Sequence, residues 1–70
     1  MSSRLPRLTA KELIRFLKGH GFEPFDSKGS HQHFVHPITK QKVTVPVHSG
    51  KIIGPGLLKA ILKQAGLEWK

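Results

Sequence analysis

The segment from Val43 to His48 constrains the fold most, because apolar and polar residues alternate along it. Val43, Val45 and Val47 alternate with Thr44, Pro46 and His48. A period of two is the pattern of a β-strand that turns one face toward a core. A chain of 70 residues supports only one core, so other segments of the same domain must cover this face. We therefore expect a single domain over residues 1–70, with residues 1–8 as a short N-terminal tail.

Two segments with helical periodicity flank this strand. Thr9-Ala10-Lys11-Glu12 matches a capping box, which predicts a helix over residues 10–19 with Gly19 or Gly21 as its left-handed stop. Pro55 and Gly66 bound a second helix in the same way, because proline fits a first turn and glycine a C-terminal stop. The apolar stripes are Leu13, Ile14, Phe16 and Leu17 in the first helix, and Leu57, Leu58, Ile61, Leu62 and Ala65 in the second.

The region between the first helix and the alternating strand predicts two further strands. Pro24 lacks an amide donor, so the short segment from Phe22 to Phe25 is expected at a sheet edge. Residues 27–30 have turn composition, with Gly29 free to adopt a positive φ, and residues 31–36 form the next strand before Pro37. The expected fold is α+β, with two helices on one face of a three-stranded antiparallel sheet and the other face open.

Charge is the strongest signal in the composition. Twelve lysines and arginines stand against four acidic residues, which gives a net charge of +8. Such an excess in a small domain favours a polyanionic partner, with nucleic acid first and an acidic protein second.

Cysteine and long apolar runs are both missing from the sequence. Disulfides and thiolate metal sites are thereby excluded, which fits a reducing compartment. No run approaches the roughly 18 apolar residues of a membrane span, and residues 1–8 carry charge and proline where a signal peptide would be apolar. We expect a cytoplasmic protein without a cofactor.

Four of the five histidines lie in the middle of the chain, namely His31, His33, His36 and His48. Strand alternation puts His31 and His33 on one face and Phe34 on the other. Since Phe34 belongs in the core, the two histidines face away from the helices, directly after a Lys28-Gly29-Ser30 turn that can hold a phosphate. RNA cleavage needs a base for the 2′-hydroxyl and an acid for the leaving 5′-oxygen, and imidazole titrates in the range for both.

Two other interpretations of these histidines stay open from the residues alone. They can be ordinary polar residues of a half-exposed strand. Alternatively, His31 and His33 can bind zinc, with His36 or His48 as a third ligand. Paired carboxylates, a nucleophilic serine elbow and a P-loop are all missing from the sequence, so hydrolases built on those motifs are unsupported.

Three motifs occur in order along the chain. They are Lys28-Gly29-Ser30-His31 with Phe34 three residues later, Val43-Thr44-Val45-Pro46-Val47-His48, and Ile61-Leu62-Lys63-Gln64-Ala65-Gly66-Leu67. Together they resemble the HicA family of mRNA interferase toxins from type II toxin-antitoxin systems, over about residues 9–67. The resemblance implies a double-stranded-RNA-binding-domain-like fold, in agreement with the order derived from periodicity. It also implies ribosome-independent cleavage of single-stranded or structured mRNA and a HicB-type antitoxin that covers the active site.

The resemblance also implies roles for individual residues. His31 is the catalytic histidine of the Gly-Ser-His motif and acts without a metal, whereas His33, His36 and His48 do not inherit that role. The residues expected to contact RNA are Lys28, Gly29, Ser30, His33 and His48. A non-catalytic RNA-binding module of the same fold is the alternative, because this fold type also binds duplex RNA through shape and phosphate contacts.

Two segments depart from the family pattern. Phe25-Asp26-Ser27 stands where many relatives carry a basic residue, and the Asp26 carboxylate repels phosphate unless it orients a neighbour. The segment from Ile52 to Leu57 replaces a more polar, lysine-rich version. Ile52 and Ile53 either form part of a surface for the partner protein or cover the core.

Overall fold

The computed structural model describes residues 5–48 and 50–69. In chain order they form strand β1 (Leu8–Thr9), helix α1 (Ala10–Gly19), strands β2 (Glu23–Lys28), β3 (His31–Val35), β4 (Lys42–Pro46) and β5 (Ile52–Ile53), and helix α2 (Pro55–Ala65). Strands β2, β3 and β4 make a three-stranded antiparallel sheet in that order. This confirms the predicted α+β fold of the double-stranded-RNA-binding-domain type.

The capping box at the start of α1 is formed as predicted. The Thr9 amide donates to Glu12 Oε1 at 2.9 Å, and the Glu12 amide donates to Thr9 Oγ1 at 3.2 Å. These two bonds satisfy amides that the first turn of a helix leaves without an intrahelical acceptor. The sequence therefore fixes the start of α1 locally, before any tertiary contact.

Both helices end in a Schellman motif, in which glycine adopts the left-handed conformation. At the end of α1, Gly21 has φ +93°, and the Phe22 amide donates to the Leu17 carbonyl at 3.0 Å. At the end of α2, Gly66 has φ +71°, and the Leu67 amide donates to the Leu62 carbonyl at 2.9 Å. Gly21, rather than Gly19, is thus the stop of α1.

Strand β2 occupies an edge of the sheet, as Pro24 predicts. It continues to Lys28, so Ser27 and Lys28 are paired strand residues rather than turn residues. Pairing with β3 supplies the hydrogen bonds that the local sequence does not encode. The loop is thereby reduced to Gly29 and Ser30, and only Gly29 has a positive φ, of +57°, which is the φ pattern of a type II′ hairpin turn.

A second sheet consists of β1 and β5, which pair antiparallel with Leu8 opposite Ile53 and Thr9 opposite Ile52. The sequence pattern does not predict it and counts Leu8 in the tail, because strands of two residues are too short to show alternation. Ile53 is buried, whereas Ile52 is 52% exposed. Of the two roles expected for these isoleucines, Ile53 has the core role and only Ile52 is free for a partner.

One apolar cluster lies between the helices and the three-stranded sheet. Its sheet residues are Phe34, Val43 and Val45, and its helix residues include Ala10, Leu13, Leu17, Leu58, Ile61, Leu62 and Ala65. Both helices therefore pack on the same sheet face, as predicted. Neither helix, in the part of the chain that the structure describes, has the length and apolar character needed to cross a membrane.

Candidate active site

Strand register assigns the middle residues to the two faces of the sheet. On the helix side, Phe34 pairs with Val43 and Gln32 with Val45. The opposite side, called the open face below, carries Glu23, Asp26 and Lys28 on β2, His31, His33 and Val35 on β3, and Lys42, Thr44 and Pro46 on β4. His31 and His33 therefore share the open face, in agreement with the alternation of the sequence.

His31 is the first residue of β3 and is exposed. Its neighbours across the sheet are Lys28 on β2 and Pro46 on β4. Residues directly opposite each other in antiparallel strands have Cβ atoms about 5 Å apart, and the four-carbon stem of lysine is flexible. The Lys28 ammonium can therefore approach an anion that is bound against the His31 ring.

The two-residue turn before His31 is held by the residue that follows strand β4. The Ser30 carbonyl accepts a hydrogen bond from the Val47 amide at 2.6 Å. A Cβ built on Gly29 would meet no atom within 4 Å, so the backbone of the turn is open to a ligand on that side. The turn thus presents accessible backbone beside Lys28 and His31, at a position fixed by the sheet.

His33 is oriented by a hydrogen bond on the open face. Its Nδ1 lies 2.8 Å from Thr44 Oγ1 on β4, directly across the sheet. The imidazole ring also lies 6.0 Å from the Phe25 ring, measured between centroids, at an interplanar angle of 45°. With Nδ1 bound to protein, Nε2 is the ring atom that His33 can offer to a ligand.

Asp26 lies opposite His33 on β2. Its Oδ1 accepts a hydrogen bond from the Ser27 amide at 2.8 Å, at the strand end that leads into the turn. The carboxylate therefore has a local structural contact, and it also adds one negative charge next to the candidate phosphate site.

Two histidines have ring nitrogens that contact the backbone. His36 Nδ1 accepts from the amides of Ile38 and Thr39 at 3.1 and 3.2 Å, and the ring meets Phe22 edge-on at 5.2 Å. His20 Nδ1 lies 3.0 Å from the Phe16 carbonyl at the end of α1. His36 thus stabilises the loop between β3 and β4, which explains its presence without any chemistry.

The zinc alternative lacks a ligand set among residues 5–48 and 50–69, where no three histidine or carboxylate side chains come within reach of one metal ion. His36 lies outside the open face and uses Nδ1 for backbone amides. His48 follows the end of β4 and lines a groove beside α1. The structure therefore separates the third ligand from the pair formed by His31 and His33.

His48 lies apart from the open face. It lines a groove of about 650 Å³ between the start of α1 and the end of β4, together with Thr9, Ala10, Lys11, Ile14, Gln32, Val47 and Gly50. Gln32 and Ala10 belong to the helix side of the sheet. The predicted RNA-contacting residues thus fall into two groups, with Lys28, Gly29, Ser30, His31 and His33 together and His48 separate.

Three open-face residues next to the histidines were missed by sequence reasoning, namely Phe25, Lys42 and Thr44. Thr44 could have been placed on the open face from the alternation of β4. Phe25 could not, because it lies at a register shift between Pro24 and Asp26. A bulge of this kind places two residues of one strand opposite one residue of the other, and period-two reasoning fails there.

Comparison with known proteins places this chain beside one protein family. A family model described as the HicA toxin of bacterial toxin-antitoxin matches residues 10–67. A probable mRNA interferase HicA from Pseudomonas fluorescens (strain Pf0-1) is 40% identical over 57 residues, which cover 81% of this chain and 92% of that relative. The matched region includes both helices, the three-stranded sheet and every residue of the open face.

Proposed function

This chain belongs to the HicA toxin family of bacterial toxin-antitoxin systems, and from that premise we propose that it is a ribosome-independent mRNA endoribonuclease. The relative named as a probable mRNA interferase supports the choice of substrate. The observation that carries the proposal is the position of His31, exposed on the open face, next to a two-residue turn and opposite Lys28.

The proposed reaction is attack of an RNA 2′-oxygen on the adjacent phosphate. A base removes the 2′-proton, an acid protonates the departing 5′-oxygen, and cations stabilise the negative charge of the transition state. His31 performs one of the two proton transfers, and solvent performs the other. A single histidine contributes typically ~10² to 10⁴-fold, so we expect a slow enzyme that needs no metal.

The residues around His31 position the scissile phosphate. Lys28 supplies positive charge from the neighbouring strand, while Gly29 and Ser30 supply the turn whose backbone is accessible to the ligand. His33 contacts the RNA through Nε2, because its Nδ1 is hydrogen-bonded to Thr44 Oγ1. His48 contacts a more distant part of the RNA from the groove beside α1.

The chain acts in the cytoplasm and is inhibited by a HicB-type antitoxin. Toxicity of a free ribonuclease requires such a partner, and a net charge of +8 favours a partner with an acidic surface. Covering His31 and the turn before it would exclude RNA directly.

The test is cleavage of a mixed-sequence RNA in excess EDTA by the wild-type chain, by His31→Ala and by the control His20→Ala. His20 lies at the end of α1 and its ring contacts the Phe16 ring, away from the open face. We expect the wild type and the control to cleave, with 2′,3′-cyclic phosphate and 5′-hydroxyl ends on the products. His31→Ala should stay folded, retain antitoxin binding and leave the RNA intact.

Other results would contradict specific parts of this proposal. Cleavage by His31→Ala at the wild-type rate would exclude its catalytic role. Cleavage that occurs only after addition of zinc or magnesium would contradict the metal-independent reaction. RNA that is bound yet intact under every condition would identify a non-catalytic RNA-binding module.

A further inference from the structure

Phe25 is an aromatic side chain on the open face that the core does not use. It is 50% exposed, although most large apolar side chains of the sheet lie in the cluster under the helices. Its neighbours are His33, whose ring centroid is 6.0 Å away, and Lys42, whose Nζ lies 5.7 Å from the Phe25 ring centroid. The ring therefore neighbours an imidazole and a cation, while half of the side chain stays exposed to solvent.

The bulge in β2 is the reason why Phe25 reaches this position. Pro24 pairs with Phe34 and the next pairing joins Asp26 to His33, so Phe25 is the extra residue on the edge strand. Bulges occur at sheet edges and beside active sites, where they redirect a side chain. Here the bulge turns an aromatic ring onto the open face beside His33.

We propose that Phe25, His33 and Lys42 form a stacking platform for one unpaired nucleobase, and that the substrate is accordingly single-stranded RNA. This inference rests on the proposed function and names the substrate class for the same site. Aromatic side chains on a sheet surface bind RNA by stacking on splayed bases, and every base has a π-face for such contact. A base within a duplex is stacked on its neighbours and does not offer that face.

The platform lies next to the proposed cleavage site. His33 and His31 are separated by two positions on β3, which corresponds to about 6.6 Å along a strand. A base on Phe25 would therefore belong to a nucleotide adjacent to the phosphate held by His31 and Lys28. Stacking would fix that nucleotide and so orient the phosphate for attack.

Charge favours RNA over a protein as the occupant of the platform. Lys42 Nζ lies over the ring. Lys28 is on the same face, as are the carboxylates of Glu23 and Asp26, so the attraction for a polyanion comes from the whole chain, which carries +8. An aromatic ring beside a cation, in a chain with a large net positive charge, is the combination that proteins use to hold single strands, with charge along the backbone and aromatic faces for the bases.

The first experiment measures binding in the His31→Ala background, so that the RNA stays intact. Two RNAs are used, an unstructured RNA and the same RNA annealed to its complement. Each is titrated with the His31→Ala parent and with the parent carrying Phe25→Leu or Phe25→Trp. Leucine keeps an apolar side chain and removes the π-face, whereas tryptophan keeps the π-face. The matched control is Ile38→Ala, because Ile38 is 83% exposed and lies in the loop between β3 and β4.

We expect tighter binding of the unpaired RNA than of the duplex. Phe25→Leu should weaken binding of the unpaired RNA about 10- to 100-fold, the range given by loss of one base–aromatic stack. Phe25→Trp and Ile38→Ala should remain within about threefold of the parent. Binding of the duplex should be insensitive to Phe25→Leu.

A second readout reports stacking itself. An unpaired RNA carrying 2-aminopurine at each position in turn should lose fluorescence at one position on binding, and Phe25→Leu should restore the emission. Equal affinity of Phe25→Leu and Ile38→Ala for unpaired RNA, or preference for the duplex, would overturn the inference. So would a Phe25→Leu variant that loses antitoxin binding and keeps full RNA affinity, because the platform would then serve a protein.

The outcomes separate this inference from the proposed function. Cleavage that depends on His31 but not on Phe25 would support the ribonuclease and contradict the stacking platform. Binding that depends on Phe25, without cleavage by the wild-type chain, would support the stacking platform and contradict the proposed enzyme activity.

Discussion

The five histidines of this chain have clearly different surroundings, and the differences indicate separate roles. His20 contacts a backbone carbonyl of helix α1, His36 accepts from two amides of the loop that follows it, and His33 is fixed by Thr44. His31 and His48 are exposed, the first on the open face and the second in the groove beside α1. The four histidines in the middle of the chain thus have three kinds of surroundings. His36 anchors a loop, His48 lines the groove, and His31 and His33 lie together on the open face.

At the residue scale, we predict that His36→Ala destabilises the protein while His36→Asn does so less. Alanine removes the acceptor of the Ile38 and Thr39 amides and the edge contact with Phe22. The expected loss in the free energy of unfolding is about 1–2 kcal/mol. Asparagine keeps an acceptor oxygen near the position of Nδ1 and should recover part of the loss.

Urea denaturation of the two variants and of His48→Ala checks this prediction. His48 is exposed, so its removal should leave the midpoint close to that of the wild type. Equal midpoints for His36→Ala and His48→Ala would show that the loop does not depend on the imidazole.

At the scale of elements, the Schellman end of α1 is tied to the loop between β3 and β4. A Cβ added to Gly21 would lie 2.8 Å from His36 Nε2, and the same imidazole contacts Phe22, the residue that follows the glycine. The end of the helix and the loop are therefore packed through one side chain.

We predict opposite effects for alanine at the two glycines of this segment. Gly21→Ala should lower the free energy of unfolding by about 1–3 kcal/mol, because φ is +93° and the His36 ring must move. Gly19→Ala should raise it by up to about 1 kcal/mol, since a Cβ there meets nothing within 4 Å and alanine favours helix. Thermal unfolding of the two variants measures the change in stability of each. A change in the same direction for both would contradict this prediction.

At the scale of the whole molecule, one layer of helices packs on the three-stranded sheet. The smallest dimension of the molecule is 17 Å, and the helices cover only one side of the sheet. The other side remains available to an extended ligand, and the overall charge draws a polyanion toward it.

We predict that RNA affinity falls steeply with salt and that the slope depends on where a lysine lies. Each phosphate neutralised on a single strand contributes about −0.7 to the slope of log K against log salt. Lys28→Gln should reduce the slope by about that amount, because Lys28 lies on the open face beside His31. Lys63→Gln removes the same charge from α2, on the helix side, and should leave the slope unchanged.

The test is to titrate unpaired RNA with both lysine variants at several salt concentrations. Both variants carry His31→Ala, so that the RNA stays intact. Equal slopes for the two lysine variants would mean that net charge, rather than the open face, determines binding.

The sequence by itself determined the features that depend on neighbours along the chain. Three such features are the capping box of Thr9 and Glu12, the glycine stops and the alternation of β4. Each involves residues within a few positions of each other, so each can be recognised in the sequence alone. The same local rules placed Phe34 inside and His31 outside, and they gave the order of helix, three strands and helix.

Only the tertiary structure decided the features that depend on contacts between distant segments. The pairing of Leu8 with Ile53, the bond of His33 to Thr44 and the bulge that exposes Phe25 each join parts of the chain that no periodicity relates. A two-residue strand has too few positions to show a pattern, and a bulge breaks the pattern on which strand reasoning relies. The sheet register therefore determined which side chains surround His31, whereas the local sequence determined that His31 would be exposed.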